Sequence, residues 1–265
     1  MGLFELIILA IIQGITEFLP VSSSAHLILP SALIEGFEDQ GAMIDVAAHV
    51  GTLGAVMLYF RKDVGQLFKG AANFVLRQTS DARRLFEVIT IATVPFLFAG
   101  TAVALTGLND VLRSPHVIAW ASIGFGLLLW LADRQPQKEH GDLNTWRAAL
   151  VVGAAQCLAL IPGTSRSGIT ITASRFLGYG RRDAARFSML LAIPAIGASG
   201  LYATYDLAQT SETGIISAAL MIAALSFAAA LLAISLFLKA SEKFSFTPFV
   251  IYRVVLGLAI LAFVN

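Results

Sequence analysis

Charge and cysteine are both scarce in this sequence, and each shortage excludes something. Acidic and basic residues make up 13% of the 265 positions and nearly cancel, leaving a formal net charge of +1. That balance offers no polyanion-binding surface and no long basic run interrupts it, so nucleic acid is set aside as a partner. The single cysteine, Cys157, can form neither an intrachain disulfide nor a thiolate metal cluster, and reads as a core residue. No Lys or Arg precedes Arg61. The N-terminal segment therefore lacks the basic stretch of a cleavable signal peptide, and its apolar start is expected to stay in the mature chain.

What fills the sequence instead is apolar: 57% of residues are hydrophobic and the mean hydropathy is +0.78. Soluble domains carry about twice this share of charge, so the chain is expected to be membrane-embedded. It is best divided into spans of roughly 20 residues, the length that crosses about 30 Å of hydrocarbon. Six stretches qualify, at roughly 42–60, 86–106, 115–132, 186–206, 214–238 and 248–264. Residues 3–34 and 148–179 are apolar too, but the first is broken by Pro20-Val-Ser-Ser-Ser and the second by Pro162-Gly-Thr-Ser-Arg-Ser. Each half is too short to cross. Irregular backbone at membrane depth is tolerated only where protein or a wet cavity surrounds it, so both segments are expected to be re-entrant hairpins lining one cavity. Breaks lying at the membrane surface, giving ordinary extra spans, are the alternative.

Basic residues orient the spans. Arg61, Lys62, Lys69, Arg77, Arg83 and Arg84 in 61–85, and Arg175, Arg181, Arg182 and Arg186 in 175–186, place those loops in the cytoplasm. Segments 133–147 and 239–247 follow them, while 107–113 has only Arg113, 206–213 has no Lys or Arg and none occurs in residues 1–60, so these belong outside. The halves, approximately 1–135 and 144–265, also resemble each other. Gln13-Gly-Ile-Thr-Glu-Phe-Leu-Pro matches Gln156-Cys-Leu-Ala-Leu-Ile-Pro with one gap, and Ala92-Thr-Val-Pro95 matches Leu191-Ala-Ile-Pro194. A hairpin plus three spans per half is an odd number of crossings, so the second half is inverted and the two breaks meet near the midplane. The expectation is one all-α polytopic membrane domain over 1–265, with six transmembrane helices and two re-entrant hairpins in an inverted repeat.

Ionisable groups are costly inside a membrane, about 2.5–3.5 kcal/mol each on insertion scales, so their positions carry information. Here Glu17 and His26 flank the first break, Arg166 lies in the second, and Asp45 and His49 occupy the next span. A guanidinium at that depth wants a carboxylate or a phosphate. New helices start after the breaks, capped by Ser22 or Ser23 and by Thr164 or Ser165. Helix N-termini are anion sites, so two of them facing Arg166 describe a phosphate pocket. A diphosphate monoester carries roughly two to three negative charges. Arg166 and two helix ends supply roughly +2, and Glu17 subtracts one. That shortfall predicts a divalent cation, Mg²⁺ or Ca²⁺, between Glu17 and phosphate oxygens. The attacking group is a serine hydroxyl, His26, or an activated water. Ser23 and His26, three apart, should share a helix face. Each serine could instead be a cap, and Arg166 could simply pair with Glu17.

Gln13-Gly-Ile-Thr-Glu17-Phe-Leu-Pro-Val-Ser-Ser-Ser-Ala-His26 resembles the first signature of the bacitracin-resistance type undecaprenyl-diphosphate phosphatases. Pro162-Gly-Thr-Ser-Arg-Ser-Gly-Ile-Thr170 resembles the second, and the similarity extends to Phe249-Val-Ile-Tyr-Arg253. The resemblance implies a multi-pass enzyme of the bacterial inner membrane with its site reached from the periplasm. It implies hydrolysis of the C55 diphosphate to the monophosphate, which recycles the cell-wall lipid carrier, with a metal requirement. Glu17 and Gln13 would serve metal and diphosphate, Arg166 would hold phosphate, and Ser23 or His26 would take part in attack. Ser22, Ser24, Thr164, Ser165, Ser167 and Thr170 would bind substrate. Many relatives have Glu where this chain has Gln13, which leaves Glu17 as the metal residue. The membrane and the polyprenyl lipid are the expected partners, and a homodimer is the one protein association considered. The competing reading is a polyprenyl-phosphate transporter or flippase, since broken helices at the midplane also build transport sites. Only hydrolysis needs a positioned nucleophile.

Overall fold

The computed structural model describes residues 3–33, 41–137, 145–208 and 213–264, and every regular element among them is helical. In chain order these are α1 (Leu3–Thr16), α2 (Ser23–Leu33), α3 (Ala42–Tyr59), α4 (Arg61–Val75), α5 (Asp81–Thr106), the single turn α6 (Asn109–Leu112) and α7 (Pro115–Asp133). They continue with α8 (Trp146–Gln156), α9 (Arg166–Phe176), α10 (Arg181–Ala208), α11 (Thr213–Lys243) and α12 (Thr247–Val264). Lys138 of the basic 133–147 segment, residue 34 of the first hairpin and residues 209–212 of the 206–213 loop lie outside the described residues.

Local chemistry sets the helix ends. Ser80 and Thr145 cap α5 and α8 by accepting from the Arg83 and Ala148 N–H groups, at 3.1 and 3.2 Å. Pro115 opens α7, where its missing N–H costs nothing, and Gly107 closes α5 in the left-handed region at φ 67°. Among the described residues, four helices are long and apolar enough to cross a membrane: Asp81–Thr106, Pro115–Asp133, Ile216–Lys243 and Thr247–Val264. The stretches at 42–60 and 186–206 are helical as well, within α3 and α10, but fall outside that set.

Both hairpin segments are broken as expected. Between α1 and α2 the chain turns through residues 17–22, and α8 passes into a 3-10 turn, Cys157–Leu160, before residues 161–165 lead to α9. The first break begins earlier than the proline suggests: the helix ends at Thr16, so Glu17 sits in the turn itself. The two breaks use one backbone device, a serine with positive φ immediately before the new helix: Ser22 at 74° and Ser165 at 69°. A non-glycine residue there carries roughly 1–3 kcal/mol of strain, which persists only when its surroundings over-determine it.

Those surroundings are protein. α9 is polar in sequence yet buried from Ser167 to Arg175, held by α7, α8 and α10. Gly163 passes so close to α7 that an added Cβ would lie 2.4 Å from the Ile118 carbonyl oxygen, and its φ of +92° also excludes a side chain. α1 packs on α11 and α8 on α5, while α3 meets α10 and α7 meets α12. At the end of α7, Asp133 accepts from Arg181 Nε at 2.6 Å and from the Phe246 N–H at 3.0 Å. That one buried carboxylate ties α7 to the starts of α10 and α12.

Candidate active site

The packing brings the two breaks together. Arg166, the first residue of α9, donates from one terminal nitrogen to Glu17 Oε1 at 2.9 Å and from the other to the Ser188 carbonyl of α10 at 3.2 Å. The guanidinium is thus fixed from two sides, yet its side chain still reaches a cavity. Glu17, 6% exposed, is crowded with donors: its Oε2 accepts from Gln13 Nε2 at 2.8 Å and from the Ser23 hydroxyl at 2.7 Å. His49 Nε2 stands 3.6 Å from the same oxygen.

The cavity beside this cluster has a volume of about 280 Å³ and is lined by Glu17, Ser22, Ser23, Ser24, Asp45, His49, Ser165 and Arg166, with Val46, Phe96, Ala159, Ala195 and Ile196 as apolar wall. Ser23, Arg166 and Glu17 therefore share one space. Ser22 and Ser24 face each other there, hydroxyl to hydroxyl at 3.2 Å. Of the two serines expected as caps at the first break, Ser23 is committed to the carboxylate. At the second break Ser165 does cap α9, accepting from the Gly168 N–H at 3.1 Å.

Other expected site residues build the walls behind. Ser165 and Ser167 hydroxyls are 3.1 Å apart, and Ser167 donates onward to the Leu19 carbonyl at 2.8 Å, linking the breaks directly. Thr170 lies 2.7 Å from the Ser188 hydroxyl, supporting the carbonyl that holds Arg166. Thr164 is wholly buried and its hydroxyl has no hydrogen-bond partner. Gln13 is also fully buried, and while its nitrogen serves Glu17 its Oε1 is left unpaired.

His26 takes a different course from Ser23. Its Nδ1 lies 2.7 Å from the Ser22 carbonyl, which can only accept, so that nitrogen carries the proton. Nε2 then accepts from the Tyr252 hydroxyl at 2.5 Å, the two rings stacked with centroids 5.7 Å apart. His26 is absent from the cavity wall. Sharing α2 with Ser23 does not bring the two side chains to one point, because α2 is wedged between the cavity and α12. Tyr252, Ser188 and Arg253 are functional neighbours that residue spacing alone did not single out. Of these, Arg253 carried a usable signal, a lone cation inside an apolar helix.

Among the described residues no three His, Cys, Asp or Glu side chains gather into a metal cluster. The donors nonetheless suit a hard cation that takes only one or two protein ligands and completes its shell from phosphate and water. The unpaired, buried Gln13 Oε1 is one oxygen without a proton to accept. The His49–Glu17 approach is another sign: His49 Nδ1 sits 2.7 Å from the Asp45 carbonyl and so donates, which turns the Nε2 lone pair toward a carboxylate oxygen. Two acceptors so placed leave room for a hard cation to join them.

Fold and site together define a helical, multi-pass membrane protein that converges a guanidinium, a carboxylate and serine hydroxyls on one small cavity at paired helix breaks. The chain belongs to the family described as bacitracin resistance protein BacA, whose model matches residues 6–259. It is 53% identical over 264 residues to an undecaprenyl-diphosphatase of Ruegeria pomeroyi, covering 98% of each chain. It is 48% identical to one from Jannaschia sp., again over 98% of both, and 47% identical to undecaprenyl-diphosphatase 1 of Pseudoalteromonas translucida along the full length of both.

Proposed function

We propose that this protein hydrolyses undecaprenyl diphosphate to undecaprenyl phosphate and inorganic phosphate in the bacterial inner membrane, returning the lipid carrier to cell-wall synthesis. The observation that carries the reading is the Ser23–Glu17–Arg166 constellation: a hydroxyl 2.7 Å from a carboxylate that is itself 2.9 Å from a guanidinium, all lining one cavity. That cavity, about 280 Å³, fits a phosphorylated headgroup and leaves the long prenyl chain in the bilayer.

When the diphosphate enters, Arg166 turns its fork from Glu17 to the terminal phosphate, a bidentate grip that suits guanidinium and phosphate geometry. The oxygen that attacks phosphorus is Ser23 Oγ or a water in its place, and its proton passes to Glu17. The phosphoanhydride bond breaks, and undecaprenyl phosphate leaves with the bridging oxygen. Attack through Ser23 would leave a phosphoserine for water to cleave. Arg166, with the N-termini of α2 and α9, balances the charge that builds on the phosphoryl oxygens. Glu17 with Gln13 Oε1 would hold a Mg²⁺ or Ca²⁺ ion, which when bound supplies further positive charge against the diphosphate. His26, on Tyr252, orients α2 and stands as the alternative acid–base group.

For the topology we propose that α3 and α10 cross the membrane together with α5, α7, α11 and α12, and that α1–α2 and α8–α9 are re-entrant. α10, about 42 Å long at 1.5 Å per residue, exceeds a 30 Å core, and α3, about 27 Å long, lies near the short end of spanning helices, which run from about 17 residues. The reciprocal packing of α1 on α11 and α8 on α5, and the matching serines at φ 74° and 69°, support an inverted repeat. The cavity is assigned to the periplasmic side on the resemblance to the family, since the distribution of Lys and Arg orients the spans but not the cavity. Purified protein in detergent should release phosphate from C55 diphosphate, more slowly from C15, and should stop with chelator. No release from either lipid would reject the reading in favour of a carrier.

A further inference from the structure

Arg253 of α12 is wholly buried, and among the described residues no carboxylate pairs with it. One terminal nitrogen donates to the carbonyls of Thr164 and Gly163 at 2.8 and 2.9 Å, with the Ala121 carbonyl at 3.4 Å. The other nitrogen reaches the Pro20 carbonyl at 3.5 Å. Its targets are thus main-chain oxygens of both breaks and of α7. An unpaired cation in a membrane interior is costly to keep, so a side chain that only filled space there would be better apolar.

The carbonyls it selects have a consequence. In a trans peptide the C=O and the following N–H point in opposite directions. With the Thr164 oxygen drawn onto Arg253, the Ser165 N–H is turned away from that guanidinium, and Ser165 is a residue of the cavity wall. The preceding N–H, of Thr164, is occupied on the Ile161 carbonyl at 3.1 Å, and at the other break the N–H after Pro20, of Val21, is occupied on the Leu19 carbonyl at 2.8 Å. The positive φ of Ser165 is the backbone cost of that rotation. Room for the guanidinium comes from Gly168, where an added Cβ would lie 2.8 Å from an Arg253 terminal nitrogen.

We infer that Arg253 is a positioning residue: by gripping the Gly163 and Thr164 carbonyls it aims the Ser165 N–H at the cavity as a fixed donor to phosphate, and through Pro20 it keeps that donor in register with Glu17. This rests on the phosphatase reading and adds a main-chain anion donor to it. Lysine keeps the charge but lacks the fork that spans these oxygens. Arg253→Lys, purified and monodisperse, should lose about 10²-fold in kcat/KM, the scale of losing one preorganised donor, and should raise the Ki of inorganic phosphate about tenfold. A purely structural role would lower the fraction of active enzyme and leave KM and Ki unchanged, and that result overturns the inference. Should Arg253→Lys not yield folded protein, Arg253→Gln decides, since a neutral amide is less costly to bury than an ammonium and still cannot span these carbonyls. A raised Ki supports the inference, and wild-type KM and Ki end it. A wild-type enzyme that releases no phosphate would reject the phosphatase reading itself.

Discussion

At the scale of single residues the site turns on what each hydroxyl and each nitrogen is bonded to. Ser23 donates a hydrogen bond to Glu17 at 2.7 Å, so its removal should be felt in rate far more than in stability. Ser23→Ala is expected to keep the melting temperature within a degree or two and to lose about 10²-fold or more in turnover, the range of a lost acid–base step. A mutant of normal rate would assign the attack to water with no help from the serine. Arg166 has its terminal nitrogens on Glu17 and Ser188, and lysine can replace the charge but not the fork. Arg166→Lys should therefore fold, by gel filtration, and lose most of its phosphate release. Glu17→Gln removes the charge that holds both Arg166 and the cation, and activity that responds to chelator should vanish. An unchanged metal titration in that variant would sink the assignment of Glu17 as metal ligand.

Secondary-structure elements explain which parts of this were legible from the sequence. The breaks were, because Pro20 and Pro162 each sit amid short polar residues inside apolar runs, and a proline removes a donor that hydrocarbon cannot replace. Glu17 and Arg166 were legible too, since an ion at that depth needs a partner and each is the nearest candidate for the other. The divergence of Ser23 and His26 was not. Spacing puts them on one face of α2, but α12 approaches that face through Tyr252, 226 positions away, and no local pattern reports it. Arg253 lies in the same helix, whose otherwise uniform apolar character reads as a simple span. Element ends also make stability predictions. Ser165→Ala removes the cap of α9 from Gly168 N–H and should cost about 1 kcal/mol, read as an earlier thermal midpoint in detergent. Gly51 lets α3 lie against α11, where an added Cβ would fall 2.1 Å from the Ala223 carbonyl oxygen. Backbone cannot yield there as a side-chain tip can, so Gly51→Ala should be more damaging than Ser165→Ala despite its smaller chemical change.

For the whole molecule, the reciprocal contacts of α1 with α11 and α8 with α5 make a demand on topology that composition alone does not. If the halves are related by an axis in the membrane plane, the break at Glu17 must be entered from the face opposite to the one that leads to Arg166. The cation that joins the halves is then contributed from the cytoplasmic hairpin and the carboxylate from the periplasmic one. With Cys157 replaced by serine, single cysteines at the exposed Arg77 and Asp183 should react with a membrane-impermeant maleimide only in inside-out vesicles, and cysteines at Gly41 and Gly107 only in right-side-out ones. With the cavity open to the periplasm, as proposed, phosphate release from added lipid should follow the Gly41 pattern. Equal labelling of Gly41 and Asp183 from one face would place both hairpins on the same side, and the paired breaks could then meet only as parallel loops, without the opposed helix N-termini on which the phosphate seat depends.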